Sequence, residues 1–233
     1  MATRLARSAR RGIDALLPQD CFLCAAPSGA ELLCQACAES LPRLPVARCP
    51  VCALPTPGSE VCGACLKKAP HFDATEAVFS YAFPVDRLIQ SLKYSHRFAS
   101  AEFLGKVLAH PNAAPGADLV VPVPLSAARL KQRGFNQALE LARPLARVLG
   151  LPLETAAIHR QRDTTPQASL PWKERAKNIR YAFECGIDLT GKTLLVVDDV
   201  MTTGTTLDEL ARTLKAHGAA RVVNRVLARA LKE

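Results

Sequence analysis

Adding 28 to positions 21, 24, 34 and 37 gives 49, 52, 62 and 65, and all eight positions are cysteine. The motif is a Cys-x-x-Cys pair, nine intervening residues and a second pair. It occurs twice in tandem, as Cys21/Cys24 with Cys34/Cys37 and as Cys49/Cys52 with Cys62/Cys65. A Cys-x-x-Cys turn aims two thiolates at one point, and two such turns complete a tetrahedral sulfur shell. Eight thiolates call for two ions, so two zinc sites are expected. All-cysteine shells leave no open coordination position, which makes both sites structural rather than catalytic. A stretch of roughly 45 residues with few large apolar side chains buries little core, and metal supplies the missing stability. The spacing leaves two pairings open: each repeat closes its own site, or the first pair combines with the third.

Disulfides are the competing chemistry for these thiols. The N-terminal stretch MATRLARSARRGIDALL is basic but lacks the apolar core and small-residue cleavage site of a secretory leader. No apolar run approaches the roughly 18 to 20 residues that span a bilayer. The expectation is therefore a cytoplasmic chain without a transmembrane segment, in which thiols stay reduced and bind metal. A redox Cys-x-x-Cys would stand singly in a βαβ context. The ninth cysteine, Cys185 in AFECGID, reads as a small buried hydrophobe.

The pattern then changes. Residues 1–20 read as a basic lead helix, 21–66 as a double zinc ribbon, and the Pro-flanked stretch Leu66 to Phe72 as the join to a domain over 73–233. Ala77 to Phe83 suits a strand, Val85 to Tyr94 and Ala99 to Leu108 have helical spacing, and Asp118 to Pro122 is a short buried strand. Asn136 to Leu149 is an amphipathic helix stopped by Gly150. Thr193 to Val197 and Arg221 to Leu227 are further strands, separated by a helix from Leu207 to His217. Strands alternating with helices imply an α/β fold, a parallel sheet flanked by helices. In such sheets ligands sit beyond the C-terminal strand ends, which directs attention to the residues after Val121 and Val197.

Charge is unevenly distributed. The formal net charge is +9, yet residues 1–65 carry six Lys/Arg against five Asp/Glu. From Arg129 to Arg180 there are eleven Lys/Arg against four Asp/Glu, a net of +7. This concentration predicts contact with a polyanion: phosphate, pyrophosphate or nucleic acid.

Chemistry concentrates in Leu194 to Thr206, LLVVDDVMTTGTT. Four apolar residues form a strand, and Asp198 and Asp199 follow as carboxylates able to accept from adjacent ribose hydroxyls, directly or through Mg²⁺. A Thr/Gly loop then opens a helix, whose unpaired N–H groups and dipole suit a phosphate. Gly204 allows close backbone approach, while Thr202, Thr203, Thr205 and Thr206 add hydroxyl donors. The segment has neither the GxxxxGK[ST] of a P-loop nor a GxGxxG.

This segment resembles the phosphoribosyl pyrophosphate (PRPP) motif of type I phosphoribosyltransferases. Further on the chain, RGFNQ (Arg133 to Gln137) and the series Arg162, Thr164, Gln167, Leu170, Arg175, Asn178, Ala182 and Phe183, with the double zinc ribbon, resemble the ComF family over nearly the whole sequence. The resemblance implies a type I phosphoribosyltransferase-like parallel sheet with a small N-terminal zinc-ribbon module. It implies that Asp198 and Asp199 hold the ribose hydroxyls and Thr202 to Thr206 wrap the 5-phosphate. Pro122, Val123 and Pro124, with Arg129 and Arg133, would take the pyrophosphate. Arg162 and Arg175 would lie on a catalytic loop that closes over PRPP with Mg²⁺. Family members are associated with competence and DNA uptake, which adds single-stranded DNA and a competence-machinery protein as candidate partners. In relatives that salvage 6-oxopurines the position of Thr202 is an Asp, so hypoxanthine and guanine are disfavoured as acceptors.

Overall fold

The computed structural model describes residues 19–29, 31–94, 98–109, 116–161 and 179–231. The lead helix expected before Gln19 and the loop residues from Arg162 to Asn178, including Trp172, lie outside the described residues. So do the side chains of Lys93 and Tyr94.

The chain divides into two compact units, Met1–Pro42 and Arg43–Glu233. In the first, β1 (Gln19–Asp20) pairs antiparallel with β2 (Pro27–Gly29), and α1 (Gln35–Glu39) starts after Cys34. The second repeat uses the same local construction. Its short helix α2 (Gly63–Lys67) starts after Cys62. Ala25 and Ala53, 28 residues apart, adopt φ of +58° and +59°. Each closes its turn by donating its N–H to a cysteine carbonyl, Ala25 to Cys21 and Ala53 to Cys49, both at 2.9 Å. A non-glycine residue resists that conformation, so its recurrence marks two copies of one constrained turn. The second copy belongs to the same compact unit as the sheet.

Four long elements of the second unit form that sheet: β3 (Ala74–Ser80), β4 (Leu119–Pro122), β7 (Thr193–Met201) and β8 (Arg221–Arg229). Their order is β3-β8-β7-β4 and every neighbouring pair is parallel. A small antiparallel pair, β5 (Ile158–Arg160) with β6 (Phe183–Cys185), precedes β7. Leu194, Leu195, Val196 and Val197 are all fully buried, as a parallel strand covered on both faces requires. Among the described residues the helices that follow α2 are α3 (Val85–Tyr94), α4 (Phe98–Leu108), α5 (Ala127–Arg133), α6 (Gln137–Leu149) and α7 (Thr205–Ala216). On α7 the residues Leu207, Leu210, Ala211 and Leu214 are buried at 3.6-residue spacing, each leucine contributing about 1.5–3 kcal/mol. Among the described residues no helix is long and apolar enough to cross a membrane.

The α/β expectation holds, with shifted edges. The strand expected at Ala77 to Phe83 lies at Ala74–Ser80, because its partner β8 ends where Ser80 pairs with Arg229. Phe83, beyond that end, is 75% exposed. Strand β7 runs past Val197 to Met201 because β8 continues beside it to Arg229.

Helices α4 and α6 meet at Gly105. A Cβ there would stand 2.2 Å from Pro144 Cγ and 2.7 Å from the Leu141 carbonyl oxygen. Neither neighbour can yield, since one is a ring and the other backbone. Gly105→Val is therefore expected to destabilise the chain by about 1–3 kcal/mol or more, read as a lower denaturant midpoint. An unchanged midpoint would contradict this close crossing.

Candidate functional site

Strands β4 and β7 place two loops side by side. Pro122 pairs with Val197, and the Val123 N–H donates to the Val197 carbonyl at 2.9 Å. The segment after β4 thus starts level with Val197, beside the last residues of β7 that carry Asp198 and Asp199 and lead to the Thr/Gly loop. This brings together residues expected to bind pyrophosphate, ribose and 5-phosphate.

Within β7, Asp198 is half-buried and Asp199 is 6% exposed. Asp198 Oδ1 accepts from the Asp199 N–H at 2.9 Å, and Asp199 Oδ1 accepts from the Val200 N–H at 2.8 Å. These backbone bonds fix the carboxylates. Gly204 then adopts φ +81° as the cap of α7. Its carbonyl accepts from the Asp208 N–H at 2.8 Å, while the Thr203 and Thr205 hydroxyls lie 2.9 Å apart. Thr202 is exposed; Thr203, Thr205 and Thr206 are half-buried around the buried glycine.

The facing segment is held by Asn136, the cap of α6. Its Oδ1 accepts from the Ala138 N–H at 3.0 Å, and its Nδ2 donates to the Val123 carbonyl at 3.0 Å. The asparagine of RGFNQ is therefore both a helix cap and a strap on the loop after β4. Arg129 and Arg133 lie half-buried on α5, a helix the sequence pattern did not reveal; it ends at Gly134 with φ +79°. Arg160, 8% exposed on β5, joins this group through a bridge to Ser126 at the start of α5. Arg162 and Arg175 lie outside the described residues, so their placement relative to these loops is not described. An open depression of about 620 Å³, lined by Cys185, Asp188, Thr190 and His217 among others, lies toward the N-terminal end of β7. It shares no residue with either loop, so the strand-end geometry carries the site.

The cysteines form two separate clusters, Cys21/Cys24/Cys34/Cys37 and Cys49/Cys52/Cys62/Cys65, each with all sulfurs within 4.8 Å of one another. Each repeat closes its own site, which spacing alone left open. Zinc–sulfur bonds of about 2.3 Å in a tetrahedron put sulfurs about 3.8 Å apart. Cys24 and Cys34 sulfurs lie 3.7 Å apart, and those of Cys52 and Cys62 3.5 Å, so the donor sets fit structural zinc. Burial disfavours the Cys49 thiolate, but N–H donors from Cys62, Cys52 and Val51 outweigh it and lower the thiol to about 7. The same balance, with donors from Cys34, Cys24 and Leu23, lowers Cys21 to about 6. In each cluster a neighbour moves the other way: hydrogen bonds with Cys24 and Cys34 push Cys37 up to about 12, and burial pushes Cys65 up. Metal analysis is expected to find about two zinc per chain, and fewer than about 1.5 would contradict two filled sites.

Two further residues are tied to the Thr/Gly loop. Phe72 is 4% exposed and shares one buried cluster with Cys49, Cys52, Cys65 and Met201. Arg229 is 4% exposed at the end of β8. Reading the last strand only to Leu227 hid it; an arginine in the otherwise apolar run VLARAL was the available signal.

A parallel sheet with paired acidic and Thr/Gly segments at its C-terminal edge, in a chain carrying two four-cysteine ribbons, defines a phosphoribosyltransferase-like protein of zinc-ribbon type. Residues 136–232 match the phosphoribosyl transferase domain family and residues 12–66 the double zinc ribbon domain family. The DNA utilization protein YhgH of Escherichia coli is 36% identical over 160 residues, covering 66% of this chain and 70% of that protein. Competence protein F of Haemophilus influenzae is 32% identical over 173 residues, covering 69% of this chain and 75% of that protein. The glutamine PRPP amidotransferase of B. subtilis, solved with ADP and GMP, is 23% identical over 59% of this chain and 30% of that one. The TM-score of that match is 0.42. The chain belongs to the ComF family.

Proposed function

We propose that the strand-end site binds PRPP and catalyses its pyrophosphate-releasing transfer to an acceptor nitrogen. The observation that carries this reading is the β4–β7 register, which sets the segment after Pro122 beside the carboxylates and Thr/Gly loop. In this reading Thr202, Thr203, Gly204, Thr205 and Thr206 wrap the 5-phosphate with N–H and hydroxyl donors at the start of α7. Asp198 and Asp199 accept from the two ribose hydroxyls. Pro122, Val123 and Pro124 form the floor for the pyrophosphate, and Arg129 and Arg133 supply guanidinium donors to its oxygens. The family resemblance assigns Arg162 and Arg175, which lie outside the described residues, to the same ligand.

The reaction breaks the bond between C1 of the ribose and the pyrophosphate oxygen, with the electron pair leaving on pyrophosphate. The acceptor nitrogen forms the new bond to C1 and gives up its proton to the departing pyrophosphate or to solvent water. Positive charge develops on the ribosyl ring, so holding its hydroxyls on carboxylates orients and stabilises it. The carboxylate pair is of the oxygen-donor type that Mg²⁺ takes, and Mg²⁺ bound with PRPP would offset charge on the leaving group. Thr202 cannot serve as a base near neutral pH, which removes 6-oxopurines from the acceptors.

A second reading is favoured by the relatives' names, a DNA utilization protein and a competence protein. In it the chain senses PRPP without turnover and works in competence, with its basic stretch on single-stranded DNA or its ribbons on a protein of the uptake machinery. Both readings place it in the cytoplasm, where reduced thiols hold zinc. Assaying pyrophosphate release from PRPP and Mg²⁺ across a panel of nucleobases separates them. Release with one acceptor, and none with hypoxanthine or guanine, supports transfer; PRPP binding without release with any acceptor supports the sensor.

A further inference from the structure

Arg229 joins three segments that are distant in sequence. Its Nε donates to the Cys52 carbonyl at 2.8 Å. Its Nη1 shares its two hydrogens among the Met201 carbonyl at 2.9 Å, the Ala230 carbonyl at 2.8 Å and the Thr202 carbonyl. Cys52 is a member of the second four-cysteine cluster; Met201 and Thr202 lead into the Thr/Gly loop.

A trans peptide directs its carbonyl and the following N–H to opposite sides. Holding the Met201 and Thr202 carbonyls toward Arg229 therefore turns the N–H groups of Thr202 and Thr203 away from it. One buried guanidinium thus links the second ribbon to the peptides that carry the Thr202 and Thr203 N–H groups, with the Ala230 N–H also donating to the Met201 carbonyl at 3.0 Å. Two further ties run in parallel. Phe72 packs in the same cluster as Cys52 and Met201, and the adjacent His71 donates its N–H to Asp208 Oδ1 on α7 at 2.6 Å.

We infer that Arg229 is a positioning residue that couples metal in the second four-cysteine site to the shape of the Thr202–Thr206 loop. Metal at the one and a phosphorylated ligand at the other then favour each other. The inference rests on the reading of that loop as the phosphate site. Its physical basis is the cost of an unpaired buried donor. When the Cys49–Cys52 turn relaxes without metal, the guanidinium follows the Cys52 carbonyl and loosens its hold on Met201 and Thr202. Linkage makes the effect reciprocal: ligand at the loop must tighten metal binding at the second site, which at an unchanged rate of metal entry appears as slower metal loss.

The test uses the zinc-loaded full chain and follows zinc capture by a chromogenic chelator, with and without PRPP and Mg²⁺. The phase missing from a Cys62→Ser variant identifies the second site. PRPP is expected to slow that phase by about fivefold or more and leave the other phase unchanged. Arg229→Met should weaken PRPP binding and reduce the slowing to less than about twofold. Arg229→Lys keeps the charge but cannot span the Cys52 and Thr202 carbonyls, so it should recover affinity more than coupling. If PRPP binds the wild-type chain yet both zinc phases stay within about twofold, the coupling is refuted. If PRPP does not bind the wild-type chain, the phosphate reading itself fails. Amide exchange at Thr202–Thr206 in the Cys62→Ser chain then decides the coupling. Exchange about tenfold faster than wild type, with α4 and α6 still protected, supports it, and unchanged exchange refutes it.

Discussion

Replacing Asp198 and Asp199 together by asparagine is expected to abolish measurable PRPP binding while leaving about two zinc per chain. Asparagine Oδ1 can still accept from the Asp199 and Val200 N–H groups, so the local strand should persist. What is lost is charge at the two acceptors assigned to the ribose. Hydrogen bonds to charged groups contribute about 1.5–3 kcal/mol each, so the pair corresponds to ~100-fold or more in affinity. Calorimetric titration of the variant, beside zinc analysis of the same sample, checks both halves. An affinity within about threefold of wild type would mean that the ribose lies elsewhere.

Gly204→Val should have the next largest effect. With φ at +81°, any side chain there is strained, by about 1–2 kcal/mol for the left-handed conformation. The added Cβ would stand 2.6 Å from Met201 Cε, with Phe72 Cζ at 3.8 Å behind it. Met201 has a flexible end, but it is 2% exposed and has little room to retreat. The variant should lower the denaturant midpoint and reduce PRPP affinity by about tenfold or more, because the loop's N–H groups turn with Gly204. Gly204→Ala should show the same changes at smaller size, since strain then dominates. Stability lost with affinity intact would separate this glycine from the phosphate site.

Much of this was legible in the sequence because the signals are local. A fixed 28-residue offset between cysteines specifies two copies of one turn, and the structure repeats even the strained Ala25 and Ala53 within it. A run of four apolar residues before Asp198, closed by a Thr/Gly loop, reads as a covered strand. Gly150, just past the last periodic leucine of α6, does adopt the left-handed cap expected of it.

What escaped depends on partners distant in sequence. Where β3 and β7 end is set by the reach of β8, and nothing within Ala74–Ser80 or Thr193–Met201 states that reach. Strands β5 and β6 have three residues each and are joined across a long intervening segment, so neither carries a period of its own. Asn136 could be read as a cap but not as a strap on Val123, which is thirteen residues away. Arg229 is the clearest case. Its acceptors lie at positions 52, 201, 202 and 230, and only the folded chain brings them to one guanidinium. Which cysteine pairs share a metal was likewise decided by folding.

We propose the edge formed by β4, β7 and the start of α7 as a PRPP site. Calorimetric titration of the zinc-loaded wild-type chain with PRPP and Mg²⁺ tests it most directly. Saturable binding at one site per chain, lost in the double asparagine variant, is expected. No binding at millimolar PRPP, or equal binding by both proteins, would contradict it.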